Sequence, residues 1–325
     1  MKDILIVTED PIGIMEILKE GIKSFTDLSY DYIDHYAVRR GFRYRSFGHR
    51  ATNFFLKTFR GRNLKHEYYH QSIADAISGC QPYYEKILVI RPDILDDTHM
   101  QMLRDRTSNL IAYYWDSVEF FPRKKQIIPF FDRILSFDPA DCMEYKFEFL
   151  PNFYFYEGAS NPYSYDVYNL SSYDKRRPLI EEVARQLDSM HLRYVFKGFS
   201  DKPFQNNLIR YTPKITYQQM ISEIREGRVL LDVSKAGQKG LTMRPMEALG
   251  LGKKLITTNS DIRNYSFYDP QNIMIIDPAA IQLDPEFFNT PYKPVPETIK
   301  ERFHVRTWLA RIFDELPQPD YRKIQ

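Results

Sequence analysis

The sequence predicts an α/β protein: two doubly wound parallel-sheet domains in tandem. Three observations predict it. Short apolar runs, of the kind that become strands buried on both faces, alternate with segments of helical spacing. The alternation halts at PNFYFYEGASNPYSY (residues 151–165), rich in turn formers, and then restarts. The 325 residues exceed one small domain and suit two of about 150.

The elements follow in order. Residues 3–8 (DILIVT) read as a buried strand and 14–24 as a helix. A basic stretch and residues 64–78 read as helices. Residues 86–90 (KILVI) form a strand ending at Arg91, 96–106 a helix, 109–115 a strand ending at Asp116, and 133–137 a strand ending at Asp138. In the second half, 166–170 is a strand followed by Ser171 and Ser172, 176–190 an amphipathic helix, and 192–199 (LRYVFKGF) a strand. Residues 217–226 form a helix and 229–233 (VLLDV) a strand. A loop, a helix beginning near Thr242 and a strand at 253–258 come next, then a strand at 272–276 and a helical run over 299–316 with Trp308 on its apolar face. The expected boundaries are 1–155, 156–300, and a C-terminal helix in 301–325 packing back toward the first domain. Ligands of open α/β sheets sit at the carboxyl ends of strands, so the cleft between two such domains is the expected site.

Composition excludes several classes. No run of eighteen apolar residues exists to span a membrane. MKDILIVTED carries acidic residues where a signal peptide needs an uninterrupted apolar stretch, so a cytoplasmic location is expected. The two cysteines, Cys80 and Cys142, lie far apart and read as free, buried thiols of a reducing compartment. A net charge of +2 is too small to argue for nucleic acid, and no nucleic-acid partner is expected. Its distribution is more telling. Between His35 and His66 stand nine Lys or Arg and no Asp or Glu, interleaved with aromatics. Such a stretch attracts phosphates, on lipid headgroups, lipid-linked diphosphates or nucleic acid, or is a plain solvated basic face. Peripheral contact with an anionic membrane through 39–65 is the expectation that goes with it.

The chemistry concentrates in GQKGLTMRPMEALGLGKKLITTN (237–259). A helix start exposes unpaired amides and the positive end of the dipole, which suits phosphate. Thr242 can cap it, and Gly240 lets backbone approach a ligand. Lys239 and Arg244 supply positive charge for a diphosphate. Glu247, one turn on, can accept hydrogen bonds from two vicinal hydroxyls, as on a ribose. The bland alternative makes Thr242 a cap, Arg244 and Glu247 surface charges, and Gly250 and Gly252 a helix stop. The seven histidines show no metal spacing; His66 and His70 share a helix face without a third ligand and read as surface residues. Trp115 and Trp308 read as packing residues.

EALGLGKKLITTN resembles the E-A-(small)-(small)-G-x-P-V-I-x-T segment in the C-terminal domain of GT-B glycosyltransferases. More narrowly, Q-x-G-L-T-M-R-x-x-E-A-L-G-x-x-K-K-L-I-T-T-N resembles bacterial glycosyltransferases of lipopolysaccharide-core or capsule biosynthesis, akin to the CgeB-like group. The resemblance runs from YDVYNLSSYDKRRPLI to YDPQNIMIID; the first half matches more loosely, through YYWDS and ILSFDPADC. It implies the GT-B fold, two Rossmann-like domains facing a central cleft, with the C-terminal one binding a nucleotide-sugar. It implies Glu247 on the donor ribose and Gly240, Leu241 and Thr242 beside the diphosphate and sugar. It also places Gln238 and Arg244 in the same pocket, and Ser171 and Ser172 as a small-residue turn near the diphosphate. Lys197 is a further diphosphate or base contact. Many retaining members carry a second glutamate eight positions before the first; here that position is Lys239, so the stereochemistry stays open.

The expected activity is transfer of a sugar from a UDP- or GDP-linked donor to a glycan or lipid-linked acceptor, with no other cofactor and no metal. Developing charge on the leaving diphosphate would meet Lys239, Arg244, Lys197 and the helix start. A base, if needed, would end a strand of the first domain. Asp116 fits best and Asp138 second, although Asp before Pro is often a turn or cap. Arg91 also ends a strand and is a candidate for acceptor or donor phosphate. The alternatives are a nucleotide-sugar epimerase, for which no carboxylate and histidine set is evident, and a non-catalytic nucleotide-sugar-binding subunit. A nicotinamide enzyme is disfavoured, since no GxGxxG follows either first strand.

Overall fold

The computed structural model describes residues 2–121, 123–158, 162–314 and 316–322. It contains two six-stranded sheets. The first is built from β1 (Ile4–Thr8), β2 (Tyr30–Asp34), β3 (Lys86–Ile90), β4 (Leu110–Tyr114), β5 (Arg133–Ser136) and β6 (Glu148–Phe149), in the order β2-β1-β3-β4-β5-β6. Its pairs from β2 through β5 are parallel. Every residue of β1 and β4 is buried, as the continuous apolar runs require of strands covered on both faces. The second is built from β7 (Tyr165–Ser172), β8 (Tyr194–Phe199), β9 (Arg210–Thr212), β10 (Gly227–Asp232), β11 (Lys254–Thr257) and β12 (Ile273–Ile275). Its order is β12-β11-β10-β7-β8-β9, all parallel.

Each order has one point where the chain, having built outward on one side, returns to build on the other. In the first sheet it lies between β1 and β3. In the second, whose strands run 3-2-1-4-5-6 when counted from β7, it lies between β7 and β10. Such switch points leave a crevice outside the carboxyl ends of the strands, the usual ligand position of open α/β sheets.

The longer helices are α1 (Met15–Phe25), α2 (Phe47–Arg60), α3 (Leu64–Ser78), α4 (Asp97–Arg104), α5 (Arg177–Ser189), α6 (Tyr217–Glu226), α7 (Met243–Gly250) and α8 (Val305–Phe313). The chain divides into two compact units. One comprises residues up to 11, 26–136 and 141–148; the other comprises 12–25, 137–140 and 149 onward. The boundary is therefore less simple than a single cut at 155. Helix α1 belongs to the second unit, where it packs on α8: a Cβ on Gly21 would lie 3.1 Å from Val305 and 3.2 Å from Leu309.

Other expectations need correction. The turn-rich segment at 151–165 is not a plain linker: Asn152, Phe153 and Tyr154 are buried. The Tyr154 N–H donates to the Phe303 carbonyl (2.9 Å) and the Val305 N–H to the Tyr154 carbonyl (2.9 Å). Phe153 lies against Trp308, ring centroids 4.8 Å apart. The helical run over 299–316 is broken: a short helix at Glu297–Lys300 and a 3-10 turn at Glu301–Phe303 precede α8. Strands β2 and β9 fall where no strand was expected. β2 (YDYID) buries only Ile33, and β9 is three residues long; edge strands need no apolar run. Both cysteines are only half-buried, and neither is in a disulfide.

Candidate functional site

In the second unit the geometry converges on the β7/β10 switch point. β10 ends at Asp232, whose carboxylate is buried. It accepts the hydroxyls of Thr242 (3.1 Å) and Thr257 (3.1 Å). Burial raises its pKa, against the pull of those hydroxyls and the Arg244 guanidinium. Thr242 therefore works in two directions. Its hydroxyl donates to Asp232 and accepts the Arg244 N–H (3.3 Å) as N-cap of α7. The helix start is thereby fixed to the end of a core strand.

The loop before α7 is tied down by side-chain amides. Asn259 Nδ2 donates to the carbonyls of Lys239 (3.1 Å) and Gly240 (3.2 Å), Gln238 Nε2 to Gly240 (3.1 Å), and Asn152 Nδ2 to Leu241 (2.9 Å). A loop that offers N–H groups to an anion must turn its carbonyls away, and here three successive carbonyls are held by protein donors. Gly240 is required by space: an added Cβ would lie 2.5 Å from the Phe137 ring and 2.8 Å from its carbonyl oxygen. Leu241 is buried beneath the loop, while Lys239 is exposed.

Arg244 and Glu247 are one turn apart on α7, both buried, with Arg244 Nη1 2.7 Å from Glu247 Oε2. Arg244 Nη2 donates to the Leu170 carbonyl of β7 (3.2 Å), which carries the guanidinium across the switch point. Glu247 Oε1 is buried with no donor in good hydrogen-bond geometry. The buried Tyr217 phenol faces the same carboxylate; burial first, and that charge second, push its pKa well above the ordinary value. Ser171 and Ser172 are not a turn: they extend β7 and pair with Gly198 and Phe199. Ser171 Oγ donates to Asn169 Oδ1 (3.2 Å). Lys197 lies opposite Leu170 in the next strand, with its ammonium 2.7 Å from Glu223. At the end of α7, Gly252 takes the left-handed conformation (φ 60°) that stops the helix. Gly250 instead makes room for Tyr154, whose ring would lie 2.6 Å from a Cβ.

In the first unit the carboxyl ends of β1, β2, β3 and β4 assemble a charged cluster. Arg91 has a left-handed backbone (φ 62°), uncommon for a side-chain-bearing residue. Its guanidinium makes a fork with Asp93 (3.0 and 3.0 Å) and reaches Asp116 (3.5 Å) and Glu9 (3.8 Å). It lies over the Phe121 ring, 4.4 Å from the centroid. Lys124 is fully buried; its ammonium donates to the Asp116 carbonyl and faces the rings of Tyr114 and Phe121. Burial depresses its pKa to about 8, opposed by the Asp116 and Asp93 carboxylates. His35, also buried, has no hydrogen-bond partner on either ring nitrogen, and burial, aided by Arg39 and Arg91, lowers its pKa to about 3. It is therefore neutral in any ordinary buffer.

Of the sequence candidates, Arg244, Glu247, Thr242, Gly240, Leu241 and Gln238 come together, with Lys197, Ser171 and Ser172 on the adjoining strands. Asp116 and Arg91 pair with each other in the first unit. Asp138 is buried, and its Oδ1 accepts the Ala140 N–H (2.9 Å) at the start of a short helix, the arrangement of a cap. Sequence reasoning missed Asp232, Lys124, His35 and Glu9. It also read His70 as lacking partners. His70 Nε2 is 2.9 Å from Asp96 and His99 Nδ1 2.9 Å from the same carboxylate, the one group with metal-ligand spacing among the described residues. His99 is at once the reciprocal partner of Asp96 in the capping box of α4, and its Nε2 meets the His70 carbonyl (2.9 Å).

No protein-family model matches the chain, and no curated protein matches it in sequence. Solved structures do match. A DNA-modifying β-glucosyltransferase, determined with and without uridine diphosphoglucose, superposes with a TM-score of 0.51 at 12% identity, over 96% of this chain and 99% of that one. The chain has the GT-B fold. An α-glucosyltransferase in complex with UDP and a 13-mer DNA gives 0.50 at 9% identity, over 97% and 93%. A glycosylation-associated Gap123 complex from Streptococcus agalactiae gives 0.45 at 12% identity; the match covers 78% of this chain, which spans 59% of that chain's length. At such identities the likeness to the two glucosyltransferases speaks for the GT-B architecture alone, and the site rests on its own geometry.

Proposed function

We propose that the chain is a glycosyltransferase that moves a sugar from a nucleoside-diphosphate sugar to a glycan or lipid-linked acceptor of a bacterial surface polysaccharide. The observation that carries this reading is the Arg244–Glu247 pair on α7, behind a loop whose carbonyls are turned inward, at the switch point of a 3-2-1-4-5-6 sheet. The loop and the capped helix start would receive the diphosphate, with Lys239 and Arg244 offsetting charge as the glycosidic bond to phosphate breaks. Glu247 would accept ribose hydroxyls through Oε1, which has no donor in good hydrogen-bond geometry within the protein. The first unit would hold the acceptor, with Asp116 as the base. The two glucosyltransferases of like fold use or bind UDP species, which supports a UDP-linked donor.

The test is a thermal-shift panel of UDP, GDP, ADP and CMP ligands and their sugars, on the protein and on its Glu247→Gln and Lys239→Ala variants. A ligand that binds only the folded state raises the melting temperature. Stabilisation by one base class, reduced in both variants, is the expected result. No stabilisation by any member overturns the assignment.

A further inference from the structure

The nine cations between His35 and His66 exceed the whole chain's net charge of +2, so the remaining sequence is net acidic. The structure places the centre of that stretch on α2, held between the N-cap Ser46 and the left-handed C-cap Gly61. Along this helix only His49, Asn53 and Leu56 escape full exposure. Asn53 anchors it: Nδ2 donates to the Tyr44 hydroxyl (2.8 Å), and Oδ1 accepts the Leu64 N–H (2.7 Å) at the start of α3. At about 100° per residue, Phe47, Phe54, Phe55 and Phe59 fall within an arc of roughly 140° on the side opposite Asn53. These four rings are 57–87% exposed, and Phe55 and Phe59 lie against each other with ring centroids 4.5 Å apart. Arg50 and Lys57 run along one edge of the arc, and Arg43, Arg45, Arg60, Arg62 and Lys65 extend from the helix ends.

We propose that α2 is a membrane-docking helix that lies in the interface of an anionic lipid bilayer, with its phenylalanines among the acyl chains and its arginines and lysines at the headgroups. Four large apolar side chains turned to water on one face of one helix are costly unless something covers them. The cations border the apolar arc rather than occupying its centre. That is the pattern of an amphipathic helix lying on a charged bilayer. A nucleic acid would require the cations at the centre of the face, on the phosphates. An unbroken single sign over thirty residues fits a surface that is negative everywhere it is touched. None of these residues is a donor-site residue, so the docking proposal stands whether or not the activity proposed above does.

The test is flotation of the full chain with vesicles of phosphatidylcholine, alone or mixed with phosphatidylglycerol. The expected result is flotation with the mixed vesicles only, weakening as salt is raised. In Phe54→Ser/Phe55→Ser/Phe59→Ser the bound fraction falls about tenfold or more, while the Leu equivalents at the same positions retain it. Arg50→Glu/Lys57→Glu loses the preference for the anionic mixture. All of these positions are exposed, and an unchanged melting temperature confirms that each variant is folded. Failure of the full chain to float with the anionic vesicles overturns the proposal, as does flotation unaffected by the Ser triple. Two further outcomes overturn it in favour of other occupants. One is a dimer in sedimentation that the Ser triple converts to monomer, which assigns the face to a second copy. The other is binding of a single-stranded DNA oligonucleotide at least as tight as vesicle binding, abolished by charge reversal and indifferent to the Ser triple.

Discussion

The two switch points solve opposite problems. At the first, between β1 and β3, the charges are spent on each other: Arg91 alone meets Asp93, Asp116 and Glu9, and Lys124 is buried against the Asp116 carbonyl. At the second, between β7 and β10, one buried ion pair bridges helix to strand, and the loop in front of it has its carbonyls held and its lysine in solvent. Each sheet has the same kind of crevice, and in the second the loop before α7 has its carbonyls turned to protein donors. A charged cluster is thus a poor guide to a binding site on its own; what matters is which polar groups the fold has not already committed.

That contrast can be broken or sharpened by substitution. The largest effect is expected for Arg244→Met, which strands Glu247 as a buried, unpaired carboxylate and costs about 3–5 kcal/mol by chemical denaturation. Arg244→Met/Glu247→Leu should recover most of that loss while nucleotide binding stays absent. If the double variant is no more stable than the single one, the pair is not the unit described. Gly240→Ala follows, at about 3 kcal/mol, because its Cβ would meet the Phe137 backbone as well as the ring. A denaturation midpoint equal to that of the unaltered protein would show that the loop can move.

Lys124 carries the first switch point's prediction. Its folded pKa lies at about 8, below the ordinary 10.5. Between those values the unfolded chain binds more protons, so stability rises with pH across that window and the penalty is fully present below about pH 8. Lys124→Met removes this slope, a change on the order of 2–3 kcal/mol between pH 8 and 10. Lys253, depressed to about 8 by its own burial, is common to both proteins and cancels in the difference. Identical slopes would mean that Lys124 is hydrated. The smallest stability effect is expected for Lys239→Ala, within about 0.5 kcal/mol, because the side chain is exposed. Its affinity for a nucleoside diphosphate should nevertheless drop about tenfold in calorimetric titration. An unchanged affinity removes Lys239 from the diphosphate site.

Much of the fold was legible because local and global signals agree. The strand at 86–90 and the helices at 64–78 and 217–226 have the bounds their sequences predict. Residues 87–90 (ILVI) are an unbroken apolar run, and Thr216 with Gln219 forms a capping box that starts the helix at 217–226. The segment at 151–156 misled because its turn formers are local, whereas the partners that bury it, Phe303 to Trp308, lie about 150 residues on. Of the candidate site, the placement of Arg244 and Glu247 one turn apart on a short helix capped by Thr242 was legible from their spacing. Asp232, His35 and Lys124 were not. Lys124 sits in RKKQ beside two other cations, and nothing within that tetrapeptide marks the middle one as interior. Burial of an ionisable group is decided by what packs over it, and that is a property of the fold.

The packing of α1 on α8 has a consequence for biosynthesis. Helix α1 carries an apolar stripe of Met15, Ile17, Leu18 and Ile22, and its cover on α8 is translated only much later. At about 5–20 residues per second, the roughly 280 residues between them take on the order of 15–60 s to synthesise. The second unit therefore cannot close around its own first helix while the chain is growing. That stripe is a stretch for which a nascent-chain chaperone would have ample time, and a premature stop before Val305 would leave it uncovered for good.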